Sequence, residues 1–159
     1  MPAVDFKKNP KPVAEKLSVP GFLRRMGAVI YDALLLAAVL FFATALALPF
    51  NGGRAFAADQ YYFPFYLLCV SYVFYAWFWT HGGQTLGMRA WKITLVNADG
   101  GQVNWWTATL RFVVALLSWA CLGLGFLWCL IDKNKRAWHD HGSGTFLYWR
   151  AGEKNSGSK

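Results

Sequence analysis

The sequence predicts an all-α integral membrane protein, and three observations indicate this fold class. Hydrophobic residues make up 56% of the 159 residues and charged residues only 15%, whereas soluble domains average roughly 45–50% and 25%. An apolar run over residues 22–50 exceeds the roughly 20 helical residues that cross a bilayer core about 30 Å thick. A second run, over residues 61–80, is rich in aromatic side chains and ends near two tryptophans, as is typical of the membrane–water interface.

These runs divide the chain into three parts. Residues 1–20 hold four prolines and four lysines and are expected to form a mobile basic tail. Residues 21–150 are expected to form the membrane domain, with transmembrane helices over 22–48 and 61–80. Residues 151–159 are polar and are expected to be disordered.

A third helical segment is expected over 105–131, and its path is open. It could be a helix pair that bends at Cys121–Gly125 and re-enters or lies in the interface, or it could span the membrane once. A bend is permitted only where protein or water satisfies the freed backbone groups. Asn104 or Thr107 is the expected N-cap of this segment, because their side chains can accept a backbone hydrogen bond.

Two short polar stretches flank the third segment. Residues 91–104 predict a small cytoplasmic β-hairpin, with a strand over Lys92–Val96, a turn at Asp99-Gly100 and a return over Gly101–Asn104. Residues 132–150 predict a loop followed by a strand over Thr145–Trp149.

The basic residues predict the orientation of the chain. Six Lys or Arg occur up to Arg25, two in 81–106 and six after Ile131, against Arg54 alone between the two long helices. The positive-inside rule therefore places the N-terminus in the cytoplasm, and basic flanks also attract anionic lipid headgroups. The same pattern argues against nucleic acid as the partner, although the net charge is +8.

Asp32 is the most informative single residue. It is the one charge in the first apolar run after Arg25, and a carboxylate inside a membrane helix costs roughly 2.5–3.5 kcal/mol on insertion scales. Arg25 lies seven residues earlier, about two helical turns, so the two side chains share a face. A carboxylate placed in this way needs a partner or a function.

The chain resembles the RDD family of bacterial integral membrane proteins, which is named for one arginine and two aspartates. The resemblance covers residues 21–149 and rests on four stretches: GFLRRMGAVIYDALLL, GGQTLGMRAWKITLVNADGG, ATLRF and IDKNKRAWHDHGSGTFLYW. It implies a multi-pass protein of the bacterial inner membrane. In this pattern Arg25 is the arginine and Asp32 the first aspartate, while Asp140 and Asp132 are both candidates for the second. Cation/proton antiport has been proposed for some members of the family.

Two functions are compatible with the charged set Arg25, Asp32, Arg111, Asp132 and Asp140. The set could form an ion or proton relay in a small cation/proton transporter, assembled as a homo-oligomer, with Asp32 as the exchanging carboxylate. It could instead hold helices together in a non-catalytic scaffold or accessory subunit that binds another membrane protein.

His139, Gln84 and Thr85 are candidates for a polar loop site. Neither a metal nor a cofactor is expected, because the sequence has no second Cys or His pair at ligand spacing and no P-loop lysine after the glycine-rich stretch. No Ser-His-Asp or Cys-His arrangement is evident, so an enzymatic function has little support.

Overall fold

The computed structural model describes residues 19–57, 59–98, 100–132 and 136–149. The tail expected over 1–20 lies outside the described residues except for its last two, and the tail over 151–159 lies outside them completely. Asp99, in the predicted turn, also lies outside them.

Two long helices form the body of the fold. Helix α1 covers Phe22–Ala47 and helix α2 covers Tyr62–Gly82, and both are long and apolar enough to cross a membrane. Helix α1 passes into a 3-10 turn over Leu48–Asn51 that contains Pro49, because proline has no N–H and disfavours a continuing α-helix. The C-cap residue that follows helix α2 is Gly83, which has a left-handed φ of 63° that glycine adopts without strain. Both predicted long helices are therefore present, and both are candidate membrane spans.

The third helical segment is bent. Helix α4 covers Trp105–Ala120, and the Asn104 side chain caps it by accepting the Thr107 N–H at 2.8 Å. After the bend, helix α5 covers Leu124–Leu127 and continues as a 3-10 turn over Trp128–Leu130. The helix axis turns by 107° between the two arms, and we call residues 105–130 the bent pair.

Four short elements gather at one end of the long helices. Helix α3 covers Leu86–Ala90, strand β1 covers Ile93–Asn97, helix α6 covers Trp138–Gly142 and strand β2 covers Thr145–Trp149. The strands form a two-stranded antiparallel sheet in which Ile93 pairs with Trp149 and Asn97 with Thr145. This sheet lies beside the start of α1, because the Arg24 guanidinium stacks 3.8 Å from the Trp149 ring centre.

The hairpin predicted within 91–104 is wrong in its pairing. Strand β1 pairs with β2, and residues 101–104 return without forming a strand. The opposite edge of β1 is also occupied, because the Leu95 N–H donates to the Gly83 carbonyl at 2.8 Å and the Gln84 side chain donates to the Ile93 carbonyl at 2.7 Å. With both edges of β1 satisfied, the returning segment instead buries Val103 in the core.

The buried core lies where α2, α4, β1 and the short helices meet, whereas α1 and α2 expose large apolar side chains along most of their length. Leu34 is 69% exposed and Phe41 79% exposed, as expected for side chains that face lipid in a membrane. The core is formed by Ala28, Ala76, Trp79, Met88, Ile93, Leu95, Val103, Ala108 and Phe112.

Gly87 allows α3 to lie directly against α1. A Cβ atom at Gly87 would contact the Ala28 carbonyl oxygen and would lie 2.9 Å from Oδ1 of Asp32.

We predict that Gly87→Ala lowers the free energy of unfolding by about 1–3 kcal/mol, because overpacking forces backbone shifts. Denaturant unfolding in detergent micelles measures this loss. The matched control is Gly82→Ala, where a Cβ meets no atom within 4 Å, and equal stability of both variants would contradict the prediction.

Candidate functional site

Asp140 lies at the centre of a buried ion cluster. Its Oδ2 accepts a hydrogen bond from Nη1 of Arg25 at 2.9 Å, and its Oδ1 accepts one from Nη1 of Arg111 at 2.6 Å. The Ala137 N–H also donates to Oδ2 at 3.0 Å, as expected for an acidic side chain in the first turn of a helix. The Asp140 side chain is fully buried, so the cluster joins α1, α4 and α6 inside the protein.

Further contacts fix the orientation of each arginine in this cluster. Nη1 of Arg111 also donates to Oγ1 of Thr145 at 2.6 Å, and its guanidinium lies 5.2 Å from the Trp79 ring centre. Nε of Arg25 donates to the Pro20 carbonyl at 3.3 Å. Two guanidinium groups and one carboxylate leave one net positive charge in the cluster.

The surroundings of the cluster shift the pKa values of two side chains in α6. Burial raises the pKa of the Asp140 carboxyl, but the charges of Arg111 and Arg25 outweigh this effect and hold it well below its usual range. Burial lowers the pKa of the His139 imidazole to about 3, and the charge of Arg111 contributes to this lowering. At neutral pH His139 is therefore a neutral side chain beside an ionised Asp140.

Asp32 forms a separate site that joins α1 to α3. Its Oδ2 accepts a hydrogen bond from the Thr85 hydroxyl, and its Oδ1 accepts one from the Gly87 N–H at 2.8 Å. Thr85 is the N-cap of α3, because its hydroxyl oxygen accepts the Met88 N–H at 3.2 Å. Asp32 is only 4% exposed and forms no ion pair with any Lys, Arg or His in the described part of the chain.

A cavity of about 160 Å³ connects the two sites. Asp32, Arg25 and Arg111 line it together with His139, and the remaining wall is largely aromatic and aliphatic. The aromatic residues in its lining are Tyr75, Trp79, Trp119 and Phe126. A cavity of this size has room for several water molecules, since each requires about 10–15 Å³ measured in this way.

Of the other candidate residues, Thr85 also lines this cavity, whereas Asp132 and Gln84 do not. Asp132 is partly exposed, accepts the Arg136 N–H at 2.9 Å and lies 3.5 Å from Nε2 of His141. The Gln84 side chain donates to strand β1, so it holds the sheet and does not reach the cavity lining. Within the described ranges, no three His, Cys, Asp or Glu side chains are grouped as metal ligands.

Sequence reasoning missed several partners of the charged side chains, among them the Gly87 N–H, the Thr145 hydroxyl and the Trp79 ring. Thr85 followed by Leu-Gly-Met-Arg has the pattern of an N-cap, which could have predicted α3 and its free N–H groups. The contacts of Arg111 with Thr145 and Trp79 join distant parts of the chain, and we find no local signal for them.

A comparison with protein families matches the sequence profile of the RDD family to residues 19–144. The chain belongs to the RDD family. The matched region of this RDD protein contains both sites, from Arg25 in α1 to Asp140 in α6. No curated protein matches the chain significantly. No solved structure matches it significantly either.

The ion cluster predicts a strong stability effect of Asp140. We expect Asp140→Asn to lower the free energy of unfolding by about 3–5 kcal/mol, because it leaves two buried arginines without their carboxylate. Denaturant unfolding in detergent micelles measures the loss. Asp132→Asn is the matched control, with an expected loss of about 1 kcal/mol, because its carboxylate is partly exposed. Equal losses for both variants would contradict the central position of Asp140.

The burial of neutral His139 predicts a pH effect on stability. Its folded pKa of about 3 lies below its ordinary 6.5, so the unfolded chain binds more protons than the folded chain between these values. Stability therefore rises with pH through this window, by at most about 1.4 kcal/mol per pH unit for one group. Unfolding measured from about pH 4.5 to 7 in wild type and His139→Phe tests this. The variant should show a flatter profile, and parallel profiles would contradict the assignment.

Proposed function

We propose that this RDD protein exchanges a proton for a monovalent cation at Asp32. The observation that supports this proposal is the set of groups around the carboxylate: two neutral hydrogen-bond donors, and no cationic side chain among the described residues within ion-pair distance. An ionised carboxylate in an apolar environment is costly unless it is paired. Such a group gains stability by taking up either a proton or a cation, and this is the property that an exchange site requires.

The cavity supports the same proposal. It brings Asp32 into one space with Arg25 and Arg111, whose charges are only partly balanced by Asp140. Water in such a space would carry protons towards and away from the carboxylate, while the net positive cluster would limit cation entry from its own side. Transporters commonly place functional carboxylates inside a helix bundle. Two long helices enclose little pathway, so we propose that the active form is a homo-oligomer.

We further propose that the protein lies in the bacterial plasma membrane with its N-terminus in the cytoplasm. The end of the helix pair that carries Arg25 also carries the half-buried Arg24 and the exposed Arg89 and Lys92. The opposite end carries Arg54 and Asp59. This asymmetry supports the orientation through the positive-inside rule, and it supports contact of the basic end with anionic headgroups.

The test of the exchange proposal is proton flux in liposomes that contain purified protein. We expect a Na⁺ or K⁺ gradient to drive proton flux in wild type and the flux of Asp32→Asn to fall to the leak of protein-free liposomes. Asparagine keeps an oxygen for the Gly87 N–H, so the variant should fold, which gel filtration and circular dichroism check. Asp59→Asn, at an exposed carboxylate in the loop before α2, is the matched control and should retain flux.

Each other outcome has a definite meaning. An absence of flux in folded wild type, across pH and with both cations, would contradict the transport proposal. Wild-type flux that persists in folded Asp32→Asn would leave transport standing and would remove Asp32 as its site.

A second candidate function is a non-catalytic subunit that assembles with another membrane protein. The observation that favours it is that Arg25, Arg111 and Asp140 bind one another, so these charges stabilise packing and are not available to an ion. In that case wild type shows no flux. On native gels of detergent-solubilised membranes, the protein should then migrate at a defined mass larger than that of the purified protein. Migration only as the isolated protein, together with the absence of flux, would contradict both functions.

A further inference from the structure

The bend in the third helical segment is fixed by backbone conformation and by close packing between its two arms. Leu122 and Gly123 adopt left-handed φ values of 54° and 78° between the two arms. Gly125 lies directly against Ser118 and leaves no space for a Cβ atom there. The α5 arm is therefore held against α4, and the bent pair returns towards its starting point.

Both ends of the bent pair lie at the same end of α1 and α2. Its first residue, Trp105, has its ring centre 6.2 Å from that of His81 in the last turn of α2. In its returning arm, the Phe126 ring centre lies 4.8 Å from that of His139 in α6. The neighbouring Asp140 is bonded to Arg25 in the first turn of α1, so entry and exit share one side.

The bent pair also remains shallow between its ends. Arg111 contacts Asp140, and Val114 packs against Gly142, so α4 follows the short elements at that end along its length. The deepest α1 residue that shares the cavity with Trp119 is Ala33. Ala33 is eight residues beyond Arg25, about 12 Å along the helix. Half of a bilayer core is about 15 Å, so with Arg25 at the level of the headgroups this depth stops short of the midplane.

The outer face of the bent pair is apolar throughout. Between residues 105 and 131 the sequence has one charged residue, Arg111, and it is buried in the ion cluster. The exposed side chains include tryptophans, which favour the interface between headgroups and acyl chains. The exposed large side chains of the bent pair include Trp105, Trp106, Leu117, Trp119, Leu122 and Trp128. Acyl chains fit this surface, because it presents no charged group for a headgroup to bind.

We propose that the bent pair lies within the single lipid leaflet next to Arg25, with its apolar face against acyl chains, and that it does not cross the bilayer. In-plane amphipathic helices bury their apolar face about 5–10 Å into the boundary of headgroups and acyl chains. In this arrangement the chain crosses the bilayer an even number of times. The three basic segments, which are the residues up to Arg25, residues 81–106 and the residues after Ile131, then lie on one side of the membrane, and Arg54 lies on the other. The proposal does not depend on transport at Asp32.

The native cysteines allow a depth measurement without a new cysteine. Cys121 lies at the bend and is exposed, Cys69 lies exposed inside α2, and Cys129 is buried. A nitroxide is attached to Cys121 in Cys69→Ala/Cys129→Ala protein in liposomes. The depth of the label follows from its collision rates with two relaxing agents: oxygen, which concentrates in the bilayer interior, and a nickel complex, which stays in the water. The matched control carries the label at Cys69 in Cys121→Ala/Cys129→Ala protein, and gel filtration checks that both fold.

We expect the label at Cys121 to be accessible to oxygen and clearly shallower than the label at Cys69. A label at Cys121 as deep as the label at Cys69 would contradict the proposal. Depth alone does not distinguish the two leaflets, because a spanning α4 of 16 residues would carry the label about 24 Å and so bring it close to the opposite surface. The fusions described next decide the leaflet. A label shielded from oxygen would also contradict it and would indicate protein contact at the bend.

A second measurement is the side of the C-terminus in cells. Green fluorescent protein and alkaline phosphatase are fused in turn after residue 159, and alkaline phosphatase is also fused within the 52–57 loop as the control. We expect a fluorescent C-terminal fusion and phosphatase activity only from the loop fusion. Phosphatase activity at the C-terminus would establish an odd number of crossings and overturn the proposal.

Discussion

The rest of the fold depends on the ion pairs that the buried carboxylate of Asp140 forms with two arginines. Asp140 lies in a five-residue helix that is too short to be stable alone, yet it binds Arg25 of α1 and Arg111 of α4. Because uncompensated buried charges are strongly destabilising, the three elements can be buried only together. The position of α6 therefore determines where the bent pair lies and how β2 reaches β1.

Asp32 has a different role in the architecture. It joins α1 to α3 through the Thr85 hydroxyl and the Gly87 N–H, so two short polar links replace an ion pair. Gly87 makes this possible because α3 approaches α1 so closely that a side chain would not fit. The same arrangement leaves the carboxylate beside a cavity and without a bound cation among the described side chains. Asp32 therefore holds α3 against α1 and at the same time presents its carboxylate to the cavity.

The sequence predicted what depends on local pattern. Length and hydropathy predicted both long helices, Asn104 was one of two expected caps of α4, and a bend at Cys121–Gly125 was one of two expected paths. The hairpin was wrong because strand pairing depends on which edges other segments occupy, and β2, which occupies one edge of β1, is distant in sequence. The same limit applies to the site: the charged residues were identified, but their partners Thr145, Trp79 and the Gly87 N–H are set by tertiary packing.

The ion cluster also has a consequence for biogenesis. Asp140 follows Arg25 by 115 residues and Arg111 by 29, so both arginines leave the ribosome well before the carboxylate that balances them. Until it arrives, each guanidinium is most stable at the membrane surface, where water and headgroups can solvate it. Helices α1 and α2 can insert during this interval, but the bent pair cannot be fixed in place. Final closure of the fold therefore waits for the last part of the chain, and a product truncated before residue 140 would insert in the membrane without completing its tertiary structure.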